Sequence, residues 1–269
     1  MINQVANIHD ALREINPIVQ MLHNYVSANE CADGAIAIGA SPIITASVQE
    51  SEQVAFRANA ISMNAATIND SQSESMILAG TMANDANIPI VFDPAGASFS
   101  KYRAQTILKI LNKIKVSVIK GNYSEIAFLA GENVSSKGLD AFEADEYDCV
   151  NVALKLADKY SCTVILTSKT DIIADSTDVV KVFNGTPMLQ KFFCSGDMIG
   201  VIAAAYCGIS RNFLTAATAA ASMVSLAGEL AAENLSNDLD LGTFKTNFFN
   251  QLSKIDSDTI KNRLQLLVY

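Results

Sequence analysis

Four consecutive residues, Cys194-Ser195-Gly196-Asp197, interrupt an apolar run that resumes as Met198-Ile199-Gly200-Val201. A glycine-containing turn that opens a helix presents unpaired backbone N–H groups, and the helix dipole adds partial positive charge to them. Amides of Ser195, Gly196 and Asp197 placed in this way would stabilise a transferring phosphoryl group. The carboxylate of Asp197 could then accept the proton of a hydroxyl lying beside the anion. Serine and aspartate are also ordinary helix caps, which is the competing reading of the same turn.

Two further segments carry chemistry. Asp93 opens Asp93-Pro94-Ala95-Gly96-Ala97-Ser98, an acid and a glycine directly after an apolar run. Lys120-Gly121-Asn122 is followed by Glu125, and the three-residue step from Asn122 to Glu125 is the N-cap to N3 spacing of a capping box. Asp93 and Glu125 also form the kind of sparse carboxylate set that holds a hydrated Mg²⁺ together with phosphates and water. Lys120 would meet a nucleotide phosphate as a compact point charge. A capped turn is a well-fixed one, so the two readings of Glu125 are compatible.

Residues of this kind need strands that stop just before them. Ala60–Asn64, Ile88–Pro94, Val116–Asn122 and Thr163–Ser168 are short, β-branched and continuously apolar, as expected for strands buried on both faces of a parallel sheet. Gly34–Pro42 is read as a further strand running into a turn. Ser73–Asn87, Lys101–Ile114 and Asp148–Tyr160 show helical spacing. Asp171–Ser176 and Val179–Gly185 suggest a hairpin near the sheet edge, and from Ser195 onward the pattern is almost wholly helical. The alternation predicts an α/β fold, a three-layer αβα sandwich with a mainly parallel sheet, in one domain spanning residues 1–269. Ligands of such folds sit beyond the carboxyl ends of the strands. Ser41, Asn64, Asp93, Asn122 and Thr167 are therefore expected along one edge.

Composition narrows the function. Half of the 269 residues are hydrophobic and 17% are charged, with a formal net charge of −9. That balance argues against nucleic acid, which requires clustered Lys and Arg. The five cysteines are scattered, and there are only two histidines. Neither a disulfide framework nor a zinc site is expected, and a reducing cytoplasm suits the pattern. The Ala-rich run 216–232 is broken by Thr, Ser and Glu, so it is read as a buried helix rather than a membrane span.

Together, "NPIVQMLHNYVSANECADGAIAIGASPIITA", "IPIVFDPAGAS", "VIKGNYSEIAFLAGE", "TVILTSKTD" and "CSGD" resemble, in order and spacing, the hydroxyethylthiazole kinases. The resemblance covers nearly the whole chain. It implies a ribokinase-like fold and ATP-dependent phosphorylation of the primary alcohol of 4-methyl-5-(2-hydroxyethyl)thiazole in thiamine salvage. It also implies a homotrimer with substrate pockets between subunits. Carried over by position, Asp197 matches the catalytic residue and Asp93 and Glu125 the acids near Mg²⁺. Lys120, Asn122, Thr167, Ser195 and Gly196 fall on the nucleotide side, and Asn24, Ile44 and Cys194 on the alcohol side.

The departures from the family pattern are specific. The usual Gly-Thr-Gly-Cys turn is Cys194-Ser195-Gly196-Asp197 here, and Asp at its last position is what other ribokinase-like kinases carry. Cys194 replaces a glycine that approaches the substrate. Ile44 stands where a thiazole-contacting methionine is common, and Lys120 where arginine is common. A family segment "HNITN" becomes Gln20–Asn24, so His23 is not the family histidine, and Ala66 replaces a glycine. These changes leave two other readings open: a different ribokinase-like enzyme, such as another small-alcohol kinase or an ADP- or ATP-dependent dehydratase of hydrated NAD(P)H, and a catalytically silent ligand-binding relative.

Overall fold

Hydrophobic runs of four or five residues, most of them separated by longer helical segments, set the architecture. The computed structural model describes residues 1–132, 145–233 and 235–269. Its strands are β1 (Ile18–Leu22), β2 (Ser41–Ile44), β3 (Ala60–Asn64), β4 (Ile90–Asp93), β5 (Val118–Asn122), β6 (Thr163–Thr167), β7 (Asp171–Ala174), β8 (Val179–Val182) and β9 (Leu266–Val268). They form one sheet in the order β2-β1-β3-β4-β5-β6-β7-β8-β9, parallel from β2 through β6 and antiparallel from there to β9. Every residue of β3 and β4 is buried, which is why these strands are apolar but for Ser62 and the polar residues Asn64 and Asp93 that end them.

The helices are α1 (Ile2–Ile15), α2 (Ala28–Ile38), α3 (Val48–Ala55), α4 (Asp70–Asp85), α5 (Lys101–Leu111), α6 (Tyr123–Ala130), α7 (Glu146–Tyr160), α8 (Met188–Lys191), α9 (Ser195–Ile209), α10 (Phe213–Ala232), α11 (Leu241–Lys254) and α12 (Ser257–Arg263). Two hydrophobic layers enclose the sheet. One joins Val19, Met21, Val91, Val118 and Ile165 to α1, α2, α9, α10 and α11. The other joins Ile61, Met63, Phe92, Ile119 and Val164 to α4, α5, α6 and α7. Helix α10 is long and apolar enough to cross a membrane, but it is packed against α9, α11 and α1, with most of its surface buried inside the protein.

Two expectations are corrected. Gly34–Pro42 is not a strand: α2 runs to Ile38, Gly39 ends it with a left-handed φ of 101°, and β2 starts only at Ser41. The alternating Ala-Ile pattern suits either structure, and alanine content with a C-terminal glycine decides for helix. Ser41 therefore opens its strand and lies at the wrong end for ligand. The real neighbour of β3 is β1, whose pattern is hidden by Gln20. That side chain is buried and donates to Thr45 Oγ1 at 3.0 Å and the Ser51 carbonyl at 2.8 Å. The hairpin β7–β8 forms as expected, with β9 covering its outer edge.

Topology also fixes where a ligand belongs. β1 leads through α2 outward to the edge strand β2, whereas β3 leads through α4 inward to β4. Right-handed crossovers that travel in opposite directions must use opposite faces of the sheet. Accordingly α2 lies in the α9 layer, and α4 in the other. A crevice opens between the carboxyl ends of β1 and β3, the topological switch point of the sheet.

Candidate active site

Helix α9 starts over that crevice. Cys194 is its N-cap and makes no side-chain cap bond. Ser195 N–H donates to the Phe192 carbonyl at 3.1 Å, and Ser195 Oγ to the Leu189 carbonyl at 2.7 Å. Ser195 is thus taken up in holding the turn, a correction to the expectation of three free amides. The N–H groups of Gly196 and Asp197 have no protein acceptor among the described residues.

Asp197, half-buried, is held by three neutral side chains. Oδ2 accepts from Ser27 Oγ at 2.5 Å and Asn24 Nδ2 at 2.9 Å, and Oδ1 accepts from Asn64 Nδ2 at 3.2 Å. Asn24 follows β1, Ser27 starts α2 and Asn64 ends β3, so the cluster spans the switch point. Asn24 was expected to meet substrate, but its amide is committed to this web. Ser27 and Asn64 were not singled out as partners of Asp197. Recognising β1 would have placed Asn24 at a strand end and Ser27 at a helix start beside it.

Beneath the turn lies a buried ion pair. Lys120 Nζ donates to Asp93 Oδ2 at 2.9 Å, and a Cβ added to Gly196 would sit 3.5 Å from that ammonium. Burial pushes the Asp93 carboxyl up to about 7, against the pull of Lys120. Burial alone would lower Lys120, but the charges of Asp93, Glu125 and Asp197 hold it well above the ordinary lysine range. Lys120 is therefore a fixed cation under the start of α9. His23 donates to or accepts from Ser62 Oγ through Nε2 at 3.0 Å, and burial pushes it down to about 4. It is a neutral imidazole at physiological pH.

The expected capping box is present. Asn122 Oδ1 accepts from Glu125 N–H at 3.0 Å and Glu125 Oε2 from Asn122 N–H at 2.8 Å. Glu125 Oε1 also accepts from Gly96 N–H at 2.8 Å, so this carboxylate ties the loop after β4 to the start of α6. Asp93 Oδ1 is buried without a partner among the described residues, an oxygen free to meet a cation. No group of three or more His, Cys, Asp and Glu side chains lies within metal-binding reach among the described residues. The donor set suits a hydrated Mg²⁺ carried largely by phosphates, with Asp93 offering its free oxygen and Glu125 the lone pairs its backbone bonds leave over.

Alongside the turn runs a cleft of about 800 Å³, lined among others by Asn122, Thr167, Gly185, Ser195, Gly196 and Val224. Its size is that of a small-molecule site. Thr167 Oγ1 donates to the Gly121 carbonyl at 3.3 Å and forms one wall. Cys194 lies buried at the turn, and burial pushes its thiol up to about 11, so it offers soft apolar contact rather than a thiolate. Ile44 ends the edge strand on the same side of the sheet, half-exposed and outside the hydrogen-bonded cluster.

A mostly parallel sheet between two helical layers, with a helix start over its switch point, is the fold of the ribokinase-like kinases. Staphylococcus aureus pyridoxal kinase in complex with ADP shares this fold at 14% identity, with a TM-score of 0.63 and coverage of 94% of this chain and 98% of that one. The hydroxyethylthiazole kinase family matches residues 9–258, and the chain belongs to that family. Hydroxyethylthiazole kinase of Clostridioides difficile strain 630 is 39% identical over 254 residues, 94% of this chain and 95% of the relative. The Haemophilus influenzae strain PittEE enzyme is 35% identical over 94% of this chain and 95% of its own length. The structure of the Pyrococcus horikoshii OT3 protein superposes with a TM-score of 0.90 at 28% identity, covering 98% of both chains.

Proposed function

We infer that this chain is a hydroxyethylthiazole kinase, transferring the γ-phosphoryl group of ATP to the primary alcohol of 4-methyl-5-(2-hydroxyethyl)thiazole in thiamine salvage. Membership of the family carries the substrate, and the arrangement at α9 supports the chemistry. ATP lies in the cleft beside Asn122 and Thr167, with its γ-phosphate facing the free amides of Gly196 and Asp197. Lys120 adds positive charge from below. Bound Mg²⁺, with Asp93 and Glu125 as its protein oxygens, would neutralise phosphate charge. Asp197 accepts the hydrogen bond of the alcohol and aims its oxygen at phosphorus. Phosphoryl transfer depends on this positioning and charge stabilisation more than on strong basicity. Cys194 and Ile44 give the alcohol side of the site its apolar character.

The experiment is mass-spectrometric detection of phosphorylated hydroxyethylthiazole after incubation with MgATP. Asp197→Asn should lower turnover by about 100-fold or more while the protein stays folded, the scale on which a positioned base contributes. Near wild-type turnover in that variant would remove Asp197 from the role. A homotrimer completing the thiazole pocket belongs to the same reading: among the described residues no strand pairs with the outer edge of β2, and Ile43, Ile44, Tyr25 and Val26 are exposed beside the crevice.

A further inference from the structure

Ser27 occupies the N-cap of α2, where a serine hydroxyl ordinarily accepts a hydrogen bond from the first turn. It makes no such bond. Its Oγ instead accepts from Asn24 Nδ2 at 2.7 Å, which leaves its single proton for donation to Asp197 Oδ2 at 2.5 Å. The side chain is fully buried. A capping interaction worth about 1 kcal/mol has been given up for a contact with the carboxylate.

The two amides around it are fixed by the backbone. Asn24 Oδ1 accepts from the N–H groups of Val26 and Ser27, both at 3.0 Å, so its Nδ2 must face Asp197. Asn64 Oδ1 accepts from Ala66 N–H at 2.9 Å and from Asn24 Nδ2 at 2.9 Å, which turns its own Nδ2 the same way. The donors are unequal in their effect on the carboxylate. Asn24 Nδ2 has two protons for three acceptors, so Oδ2 receives the Ser27 hydroxyl at 2.5 Å in full and a shared bond from Asn24 at 2.9 Å, whereas Oδ1 receives one at 3.2 Å.

We propose that Ser27, braced by Asn24, is a positioning residue that commits Oδ2 of Asp197 to the protein and reserves Oδ1 for the substrate alcohol. The inference rests on Asp197 as the acceptor of the substrate proton and deepens that reading. In the reaction the alcohol proton passes to Oδ1. The alcohol oxygen forms its bond to the γ-phosphorus as the bond from that phosphorus to the β,γ-bridging oxygen breaks, and the electron pair leaves with ADP. A carboxylate fixed at one oxygen cannot rotate away from the line of attack. Without Ser27 only the shared Asn24 bond and the longer Asn64 bond hold it, so it turns more readily, and the alcohol still binds but is aimed less often.

The test is steady-state kinetics of Ser27→Ala and Ser27→Thr beside wild type and Asp197→Asn, with KM measured separately for the thiazole alcohol and for ATP. Ser27→Ala should lower kcat by about 10- to 100-fold, the range for losing one hydrogen bond to a charged group, with both KM values little changed. Ser27→Thr, which keeps the hydroxyl, should recover most of that loss. Should Ser27→Ala fail to fold, Ser27→Cys, similar in size and a weak donor, takes its place with the same expectation. Wild-type kcat in Ser27→Ala with an inactive Asp197→Asn would overturn the proposal and leave the base assignment standing. Loss of kcat in Ser27→Ala that Thr does not recover would also overturn it, because the hydroxyl would then not be the cause. Full activity in both Ser27→Ala and Asp197→Asn would remove the base assignment, and the proposal with it.

Discussion

Lys120 and His23 are both buried beside Asp197, and their charges are settled in opposite ways. Lys120 keeps its proton because Asp93, Glu125 and Asp197 surround it, whereas His23 loses its own because burial outweighs the attraction of Asp197. The histidine gives stability a definite pH dependence. Its value falls from 6.5 to about 4 on folding, so the unfolded chain takes up a proton below 6.5 that the native state refuses until about 4. Stability from this group is therefore complete above 6.5 and is lost as pH falls through 4, on the order of 3 kcal/mol in all. Asp93 and Asp171 act in the opposite sense: raised by burial to about 7 and about 6, they favour the native state as pH falls through the same window. The two acids together outweigh the histidine, so the wild-type curve alone does not reveal His23. His23→Gln, which can still meet Ser62 Oγ, should become more stable relative to wild type by about 2 to 3 kcal/mol between pH 7 and pH 4. Urea unfolding at the two values measures the difference, and parallel curves would show that His23 does not titrate as its burial requires.

Two helix starts, α2 and α9, meet at the carboxylate, and their approach depends on a residue with no side chain. A Cβ added to Gly34 of α2 would lie 2.5 Å from Met198 Sδ and 2.7 Å from Met198 Cγ, with Met198 fully buried on α9. Methionine is flexible enough to absorb one methyl group, but not a branched one in a closed core. Gly34→Val should therefore cost about 2 kcal/mol by thermal unfolding, and should lower kcat by moving Ser27 away from Asp197. Unchanged kcat in a folded Gly34→Val protein would separate helix packing from catalysis. Elements also show where the sequence was legible. β3, β4, β5 and β6 were readable because each is buried on both faces and opens on apolar, mostly β-branched residues, and the Asn122–Glu125 box because capping is local chemistry. β1 was not, because Gln20 breaks its pattern and satisfies its amide only through Thr45 and Ser51, more than twenty residues away. The partners of Asp197 were hidden for the same reason: Asn24 and Ser27 lie 173 and 170 residues from it, and only the crossovers bring them together.

As a whole the molecule is acidic, with a net charge of −9, yet its inferred substrate is a polyanion. The Debye length at physiological salt is about 8 Å, so distant surface carboxylates are screened and the local amides and Lys120 decide the binding. Screening does nothing for apolar surface, and one edge of the sheet exposes it. The outer edge of β2, without a partner strand among the described residues, carries Ile43 and Ile44, the latter 50% exposed, while Tyr25, 80% exposed, and Val26 project from the loop that also supplies Asn24. An open edge strand flanked by exposed apolar side chains is a surface that another chain ordinarily covers. A second copy covering it would also close the alcohol side of the crevice, since β2 and the loop after β1 border the switch point. Ile43→Asp places a charge in that contact at a residue outside the alcohol side of the site. Sedimentation or light scattering should then report a smaller species than wild type, with kcat/KM for the thiazole alcohol reduced about tenfold or more and KM for ATP nearly unchanged, as expected when one burying contact is lost from only one substrate. If mass falls while the alcohol kinetics hold, the pocket is complete within one chain; if neither changes, the edge is not an interface, and β2 is protected by its short length alone.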